Sequence, residues 1–242
     1  MKTTIALTAT LLIAGSIIAA DSTAKDDVTN AAKKLGEKAN YSWKSVSVVP
    51  ENAPFKPGPS EGKTEKDGVT YFTFSFGDNT TQIYLKGDKS AVSNSDGGWQ
   101  SAAELENDEG LGRFISVLVR NFKAPVAHAP ELAAAAKELK KDGDAFSSDM
   151  TEEGARKQFK FGKVTDPKGS VKFWIKDGQL SKYEYKLAGK AEFNGDEFDV
   201  DRVTTVEIKE VGTTKVEVPA AAKKKLEPAP AATTAPAAKP AK

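Results

Sequence analysis

The fold of this chain is decided by residues 169–208, which read GSVKFWIKDGQLSKYEYKLAGKAEFNGDEFDVDRVTTVEI. Apolar and polar residues alternate at its start, so that Val171, Phe173 and Ile175 share one face of an extended chain. Lysines and a tryptophan occupy the positions between them. Such alternation is typical of a strand with one buried face.

Two tight turns divide this segment into three strands. The pairs Asp177-Gly178 and Asn194-Gly195 adopt the positive φ angles of two-residue hairpin loops with little strain. The middle strand alternates as the first one does, and Phe198, Val200, Val206 and Ile208 share a face of the third. The sequence therefore predicts an antiparallel meander whose apolar face must be covered by helices, a second sheet or a ligand.

Length and composition exclude several classes of protein. The chain has 242 residues, enough for one sizeable domain, and 35 basic against 34 acidic residues give a net charge of +1. A chain without a basic excess is not expected to bind nucleic acid. It has no cysteine, which excludes disulfides, thiolate metal sites and a lipidated N-terminal cysteine.

The N-terminus predicts export. Lys2 precedes an apolar run over residues 5–18, and small residues follow it, as in a signal peptide. We assign residues 1–20 to this signal, with cleavage after Ala20 or after Ala24. The alternative is an uncleaved membrane anchor, although the run is shorter than the ~20 residues of a typical span. The expected location is periplasmic or extracellular.

Further strands and one helix precede the meander. Residues 26–39 predict a helix with a thin apolar face, expected to pack along a sheet edge, and a strand follows over residues 41–48. Asp67-Gly68 predicts another hairpin. After it, Phe72, Phe74 and Phe76 share one face, which indicates deep burial, and short strands continue to Trp99.

Two helices are expected in the middle of the chain. The first carries an apolar stripe at helical spacing, formed by Leu111, Phe114, Ile115, Leu118 and Phe122. A loop over residues 124–130 follows, and Pro130 suits the first position of a second helix that stops at Gly143. Thr151 predicts the start of a short third helix. A last strand is expected over residues 216–219 and a disordered Pro/Ala/Lys-rich tail over residues 227–242.

The order of these elements resembles the LolA/LppX superfamily of exported lipid and lipoprotein carriers. The nearest local likeness lies in residues 169–180 and 182–185, followed by 211–214 and 216–219, and the likeness spans residues 26–219. It resembles the C-terminal half of LppX-type members. Those members carry a lipidated cysteine that this chain lacks, so in that respect it is closer to the soluble LolA type.

The resemblance implies an α+β fold: a wide curved antiparallel sheet, or incomplete β-barrel, with helices covering the concave face. Acyl chains bind in that family between the sheet and a lid of helices. Carried over residue by residue, it implies a cavity wall made of Phe72, Phe74, Phe76, Val171, Phe173 and Ile175. It implies a lid helix that contributes Leu111, Phe114, Ile115 and Leu118.

Two functions remain open at this point. The first is an exported carrier that binds a lipid or an acyl-bearing protein noncovalently in an apolar cavity. The second is an envelope structural, sensor or adaptor protein on the same scaffold, whose aromatic residues form a filled core and whose partner is an envelope protein. We expect a monomer with no transmembrane segment after signal cleavage.

Catalysis is not expected, and no cofactor or metal is predicted. His128, the one histidine, has no carboxylates at ligand spacing and is interpreted as a solvated loop residue. The acidic run of Asp196, Glu197, Asp199 and Asp201 lacks the glycine and terminal glutamate of a calcium loop. No nucleophile motif or phosphate-binding glycine loop is present, which argues against an enzyme.

Overall fold

The computed structural model describes residues 23–53, 56–77, 79–160, 163–193 and 196–227. The predicted signal peptide, the turn Asn194-Gly195 and the tail beyond residue 227 lie outside these residues. The helices are α1 (Ala24–Gly36), α2 (Ala102–Leu105), α3 (Leu111–Asn121), α4 (Pro125–Ala135), α5 (Glu152–Gln158) and α6 (Ala220–Leu226). The strands are β1 (Asn40–Val48), β2 (Ser60–Glu65), β3 (Thr70–Phe76), β4 (Asn79–Lys86), β5 (Lys89–Ser93), β6 (Trp99–Gln100), β7 (Lys140–Asp142), β8 (Ala145–Asp149), β9 (Lys163–Lys176), β10 (Gln179–Phe193) and β11 (Asp196–Lys209).

All these strands form one antiparallel sheet in the order β6-β5-β4-β3-β2-β1-β11-β10-β9-β8-β7. The sheet is open, because β6 and β7 are its two edges. The predicted meander is β9, β10 and β11, and its first turn has Asp177 at φ 52° and Gly178 at φ 71°. The predicted α+β fold with a wide antiparallel sheet that stops short of a closed barrel is therefore confirmed.

The first strand joins the two halves of the sheet. In β1, Trp43 lies opposite Gly62 of β2 on one side and opposite Ile208 of β11 on the other. Its indole covers the Gly62 backbone so closely that a Cβ there would lie 2.6 Å from Cη2 of the ring. Glycine is thus required at residue 62 to seat the tryptophan.

Helix α1 lies on the inner face of the sheet, defined here as the face that carries Phe173, Tyr183 and Val206. The prediction that this helix packs along a sheet edge is wrong, because it crosses β10 and is the centre of the core. Val28 and Leu35 have no exposed surface, and each contributes about 1.5–3 kcal/mol through its burial. The alanines beside them, which make the apolar face thin, permit the helix to approach the sheet closely.

The second central helix starts earlier than predicted. Pro125, not Pro130, occupies the first position of α4, and Pro130 lies inside the helix. The helix ends at Ala135, and the chain then forms the β7–β8 hairpin where the sequence had suggested more helix. Both prolines suit a helix start locally, and the burial of Pro125 in the core selects the first.

The C-terminal segment packs on the outer face, opposite to α1. Residues 216–219 are not the predicted strand but an extended connection that leads into α6. Ala222 and Leu226 of α6 pack with Tyr84 and Ala91 in a second, smaller core. Lys225 also forms an ion pair with Glu104 of α2, with Nζ 2.8 Å from Oε1. Packed structure therefore continues to Leu226.

Candidate functional site

Helix α3 is attached to the inner face through two pairs of aromatic rings. Phe114 packs on Phe74 of β3, with ring centroids 5.5 Å apart. Phe122, just after the helix, stacks on Phe72 with centroids 4.0 Å apart and an interplanar angle of 8°. The backbone of α3 lies close to that of α2, and the buried Ser116 hydroxyl donates to the Ala102 carbonyl at 2.8 Å. The helix thus covers β3 through side chains alone.

Burial decreases along this contact toward one end of the sheet. Phe72 is buried, with 4% of its surface exposed, whereas Phe74, Phe114 and Leu118 are half-buried. Leu111, in the first turn of α3, is 47% exposed. We call these four incompletely covered residues the α3 patch: Phe74, Leu111, Phe114 and Leu118. The expectation that the β3 phenylalanines are all deeply buried is therefore wrong for Phe74.

The remaining predicted residues lie elsewhere in the core. Val171 and Phe173 are fully buried on β9, and Ile175 is half-buried beside them. Their strand is separated from β3 by β2, β1, β11 and β10. Ile115 is buried on α3, and the side chain of Phe76 lies outside the described part of the structure. Phe74 therefore contacts the predicted lid residue Phe114, whereas Phe72 contacts Phe122, and the β9 residues belong to the main core.

Two surface clefts are lined mainly by polar residues. The larger, of about 480 Å³, lies between the C-terminal segment and β3–β4 and is lined by Lys63, Tyr71, Tyr84, Glu210, Thr213, Thr214, Lys215, Val216 and Glu217. The smaller, of about 310 Å³, is lined by Ser147, Ser148, Asp149, Ser170, Val171, Lys172 and Glu184. Neither has the apolar lining that an acyl chain requires. Under α3, the rings of Phe114 and Phe122 contact Phe74 and Phe72 of the sheet directly.

His128 is part of a polar cluster inside the fold, and its interpretation as a solvated loop residue is wrong. It lies on α4, half-buried, with Nδ1 3.2 Å from the Tyr183 hydroxyl and its ring edge-on to Tyr185. Burial lowers the pKa of His128 to about 4, against the opposing effect of a hydrogen bond with Gln158. The imidazole is therefore neutral at pH 7.

Two inner-face side chains contain buried polar atoms that lack hydrogen-bond partners among the described residues: the Tyr41 hydroxyl and Nε of Arg202. Burial raises the pKa of Tyr41, and the backbone of Val126 is its polar neighbour. The sequence interpretation missed both residues. Arg202 has the same even-numbered parity as Val200 and Val206, so the alternation of β11 could have placed it on the inner face.

Two acidic residues of the run in β11 form ion pairs with lysines of β10. Asp201 pairs with Lys186 at 2.9 Å, and Glu197 pairs with Lys190 at 3.0 Å. Among the described residues, no group of three or more metal-ligating side chains converges on one point. No helix in the described part of the chain is long and apolar enough to cross a membrane.

The sequence matches no family model and no curated protein. Among solved structures, the chain is similar to the lipoprotein LppX from Mycobacterium tuberculosis, with 7% identity, a TM-score of 0.44, and coverage of 79% of this chain and 96% of that one. It is also similar to LprF from Mycobacterium bovis, with 10% identity, a TM-score of 0.42, and coverage of 82% and 96%.

A third similar structure is a DUF1329 family protein from Desulfovibrio piger, with 11% identity, a TM-score of 0.32, and coverage of 77% and 90%. The resemblance to the LppX group expected from the sequence is thus also found among solved structures. These TM-scores are all below 0.5, and the function proposed below rests on the chain's own residues.

Proposed function

We propose that this chain is an exported protein that binds a hydrophobic ligand noncovalently between α3 and the inner face of the sheet, and carries it without catalysis. The observation that supports this most directly is the α3 patch. Four apolar side chains remain incompletely covered where α3 meets β3, and one of them, Leu111, is 47% exposed. Apolar groups that the fold leaves uncovered at the edge of a core are typical of a site that a ligand completes.

Binding requires α3 to move away from β3. The helix is held there by the rings of Phe114 and Phe122, and each ring pair is worth about 0.5–1.5 kcal/mol beyond its area. Gly110, at φ 60°, precedes the helix, and no side chain caps its first turn. An acyl chain gains about 0.8 kcal/mol for each methylene transferred from water, so ten methylenes contribute about 8 kcal/mol against about 1–3 kcal/mol for the specific contacts of the two ring pairs.

This proposal assigns ligand contacts to the surfaces that opening exposes. Phe72, Phe74 and Phe76 would form the wall on β3, and Leu111, Phe114, Ile115 and Leu118 would form the lid. Val171, Phe173 and Ile175 would support the wall from the core. The ligand class is a lipid or an acyl-bearing protein, and the proposed location, the periplasm or outside the cell, is supported by the apolar N-terminal run.

The alternative, an envelope adaptor with a filled core, is favoured by one observation. Phe122 stacks on both Phe72 and Trp43, the latter with centroids 6.2 Å apart, so the middle of the inner face is occupied by the protein itself. In that case α3 stays closed and the exposed part of the α3 patch contacts a protein partner.

Ligand extraction and titration distinguish the two functions. The mature protein is purified from its own host for native mass spectrometry and lipid analysis, and is then titrated with a dansyl-labelled fatty acid. We expect a bound acyl species and saturable uptake that Leu118→Gln weakens. Val46→Gln, on the outer face where Val46 is 42% exposed, is the matched control. A ligand-free mass together with no saturable uptake would refute the carrier and favour the adaptor.

A further inference from the structure

Arg202 lies on the inner face of the sheet. In β11 it lies directly opposite Leu187 of β10, which is fully buried. It also precedes the inward-facing Thr204 by two residues. Side chains directly opposite each other in antiparallel strands point to the same side. The side chain of Arg202, which is half-buried, is therefore directed to the inner face of the sheet.

The Nε atom of Arg202 lacks a hydrogen-bond partner among the residues that the structure describes. This atom is buried, and no ion pair joins Arg202 to an acidic side chain among the described residues. Arg120 and Arg156, in contrast, form ion pairs with Glu106 and Glu152. A buried donor of a charged group that is left unsatisfied is destabilising, and this cost is removed when an acceptor binds.

Hydroxyl groups lie beside Arg202. The hydroxyls of Ser47 and Thr204 are 2.9 Å apart, and Tyr185 lies opposite Thr204. The pairing of β1 with β11 ends at Val48 and Val203, so Arg202 is one residue beyond the last paired position. The strand β1 therefore does not pair with β11 at Arg202.

Arg202 and the α3 patch lie toward the same end of the sheet. Phe72, Gly62, Trp43 and Ile208 form one row across β3, β2, β1 and β11. Phe74 lies two residues along its strand from this row, and Arg202 lies six residues along its own. Both lie toward the end of the sheet at which β1 ends, near Val48. Their separation is thus about 13 Å along the strands and about 14 Å across them. A path of about 20 Å exceeds the ~15 Å of one bilayer leaflet and suits a long acyl chain.

We propose that Arg202, together with the hydroxyls of Ser47 and Thr204, binds the anionic head group of an amphiphile whose tail lies along the α3 patch. This inference rests on the proposed function and adds the ligand's head-group chemistry to it. A guanidinium presents parallel N–H donors that match the oxygens of a carboxylate or a phosphate. Both head groups share this chemistry, and the experiment separates them.

The test compares three probes that carry the same dansyl-labelled chain: a fatty acid, its methyl ester and a lysophosphatidic acid. For the wild type we expect at least one anionic probe to bind about tenfold or more tightly than the ester, as for a charge-assisted hydrogen-bond pair. The anionic probe that binds more tightly identifies carboxylate or phosphate as the head group. In Arg202→Met we expect this preference to disappear while the ester binds as before.

Two further variants control for charge and for folding. Lys186→Met removes a cation from the outer face of the neighbouring strand, where Lys186 pairs with Asp201, and should leave the preference unchanged. Arg202→Lys keeps the positive charge but lacks the parallel N–H donors of the guanidinium, so it should retain only part of the preference for anionic probes. If Arg202→Met does not fold, the comparison of the anionic probes with the ester is made on Arg202→Lys instead.

The outcomes separate this inference from the proposed function. Equal binding of the ester and both anionic probes to the wild type would overturn the role of Arg202 while leaving the hydrophobic site intact. The role is also overturned if Arg202→Met, or Arg202→Lys where the former is unfolded, keeps the full preference. Failure of all three probes to bind would overturn the site and the head-group assignment together.

Discussion

Replacement of Gly62 by alanine tests the packing at the centre of the sheet. A Cβ on Gly62 would lie 2.6 Å from Cη2 of Trp43 and closer still to two other ring atoms. The indole cannot move freely, because only 5% of its surface is exposed and its ring is 6.2 Å from that of Phe122. Gly62→Ala must therefore displace Trp43 by about 1 Å or bend β2.

The expected cost follows from these contacts. Inserting a methyl group into a packed core costs about 1–3 kcal/mol, and disturbing the stacking of Trp43 on Phe122 adds about 1 kcal/mol. Alanine lowers the backbone entropy of the unfolded chain, which stabilises the fold by about 0.5 kcal/mol and offsets part of this cost. We expect a net loss of about 2–3 kcal/mol in the free energy of unfolding, or a decrease of about 1 M in the urea midpoint.

Urea unfolding followed by far-ultraviolet circular dichroism measures this loss. Gly36→Ala is the matched control, because a Cβ there meets Val126 at an ordinary 3.7 Å. Trp43→Phe shortens the ring that Gly62→Ala would strike, so the double variant should be more stable than the sum of the single effects by about 1 kcal/mol or more. Additive effects of the two substitutions, or a Gly62→Ala protein as stable as the Gly36→Ala protein, would refute this account of the packing.

Three further predictions concern the helices on both faces. Because burial lowers the pKa of His128 from 6.5 to about 4, the neutral ring stabilises the fold above pH 6.5, and this stability is lost as the pH falls toward 4. The free energy of unfolding should drop by about 1–2 kcal/mol more between pH 6.5 and 5 in the wild type than in His128→Gln, in urea titrations at each pH. The ion pair with Lys225 lowers the pKa of Glu104 to about 2, so Lys225→Ala should raise that pKa in an NMR titration while changing stability by less than about 0.5 kcal/mol. Truncation after Pro219 removes α6 and uncovers Tyr84, and thermal unfolding should show a loss of about 2–4 kcal/mol. An unchanged melting temperature would mean that α6 does not stabilise the sheet.

The strands of the meander could be predicted because their signals are local. Alternation placed Val171 and Phe173 on the buried face, and Asp177-Gly178 marked the turn between β9 and β10. Neither signal depends on distant parts of the chain. The Asp67-Gly68 hairpin was predicted for the same reason, and the structure has Asp67 at φ 56°.

The start of α4 could not be predicted because tertiary packing decides between two equivalent signals. Pro125 and Pro130 both suit the first helical position, and only the burial of Pro125 distinguishes them. The same error put His128 in a predicted loop, whereas a helix beginning at Pro125 directs its side chain toward Tyr183. The wrong helix boundary thus led to the interpretation of the half-buried, helical His128 as a loop residue.

The candidate site could be predicted only in part. The sequence indicated which residues of β3 and α3 are apolar, but not that Phe72 is buried and Phe74 half-buried, since this depends on how far α3 covers the strand. The alternation of residues along β11 could have assigned Arg202 to the inner face. The lack of a partner for its Nε could not, because it depends on every side chain that packs nearby.

The position of β1 has a consequence for when the protein can fold. This strand pairs with β11, and its Ser47 contacts Thr204 across 157 residues of sequence. Contacts between residues so far apart form only after a large loss of chain entropy, which slows folding. A nascent chain that still lacks β11 cannot complete the middle of its sheet. The order of strands therefore delays completion of the sheet until the chain has been synthesised as far as β11.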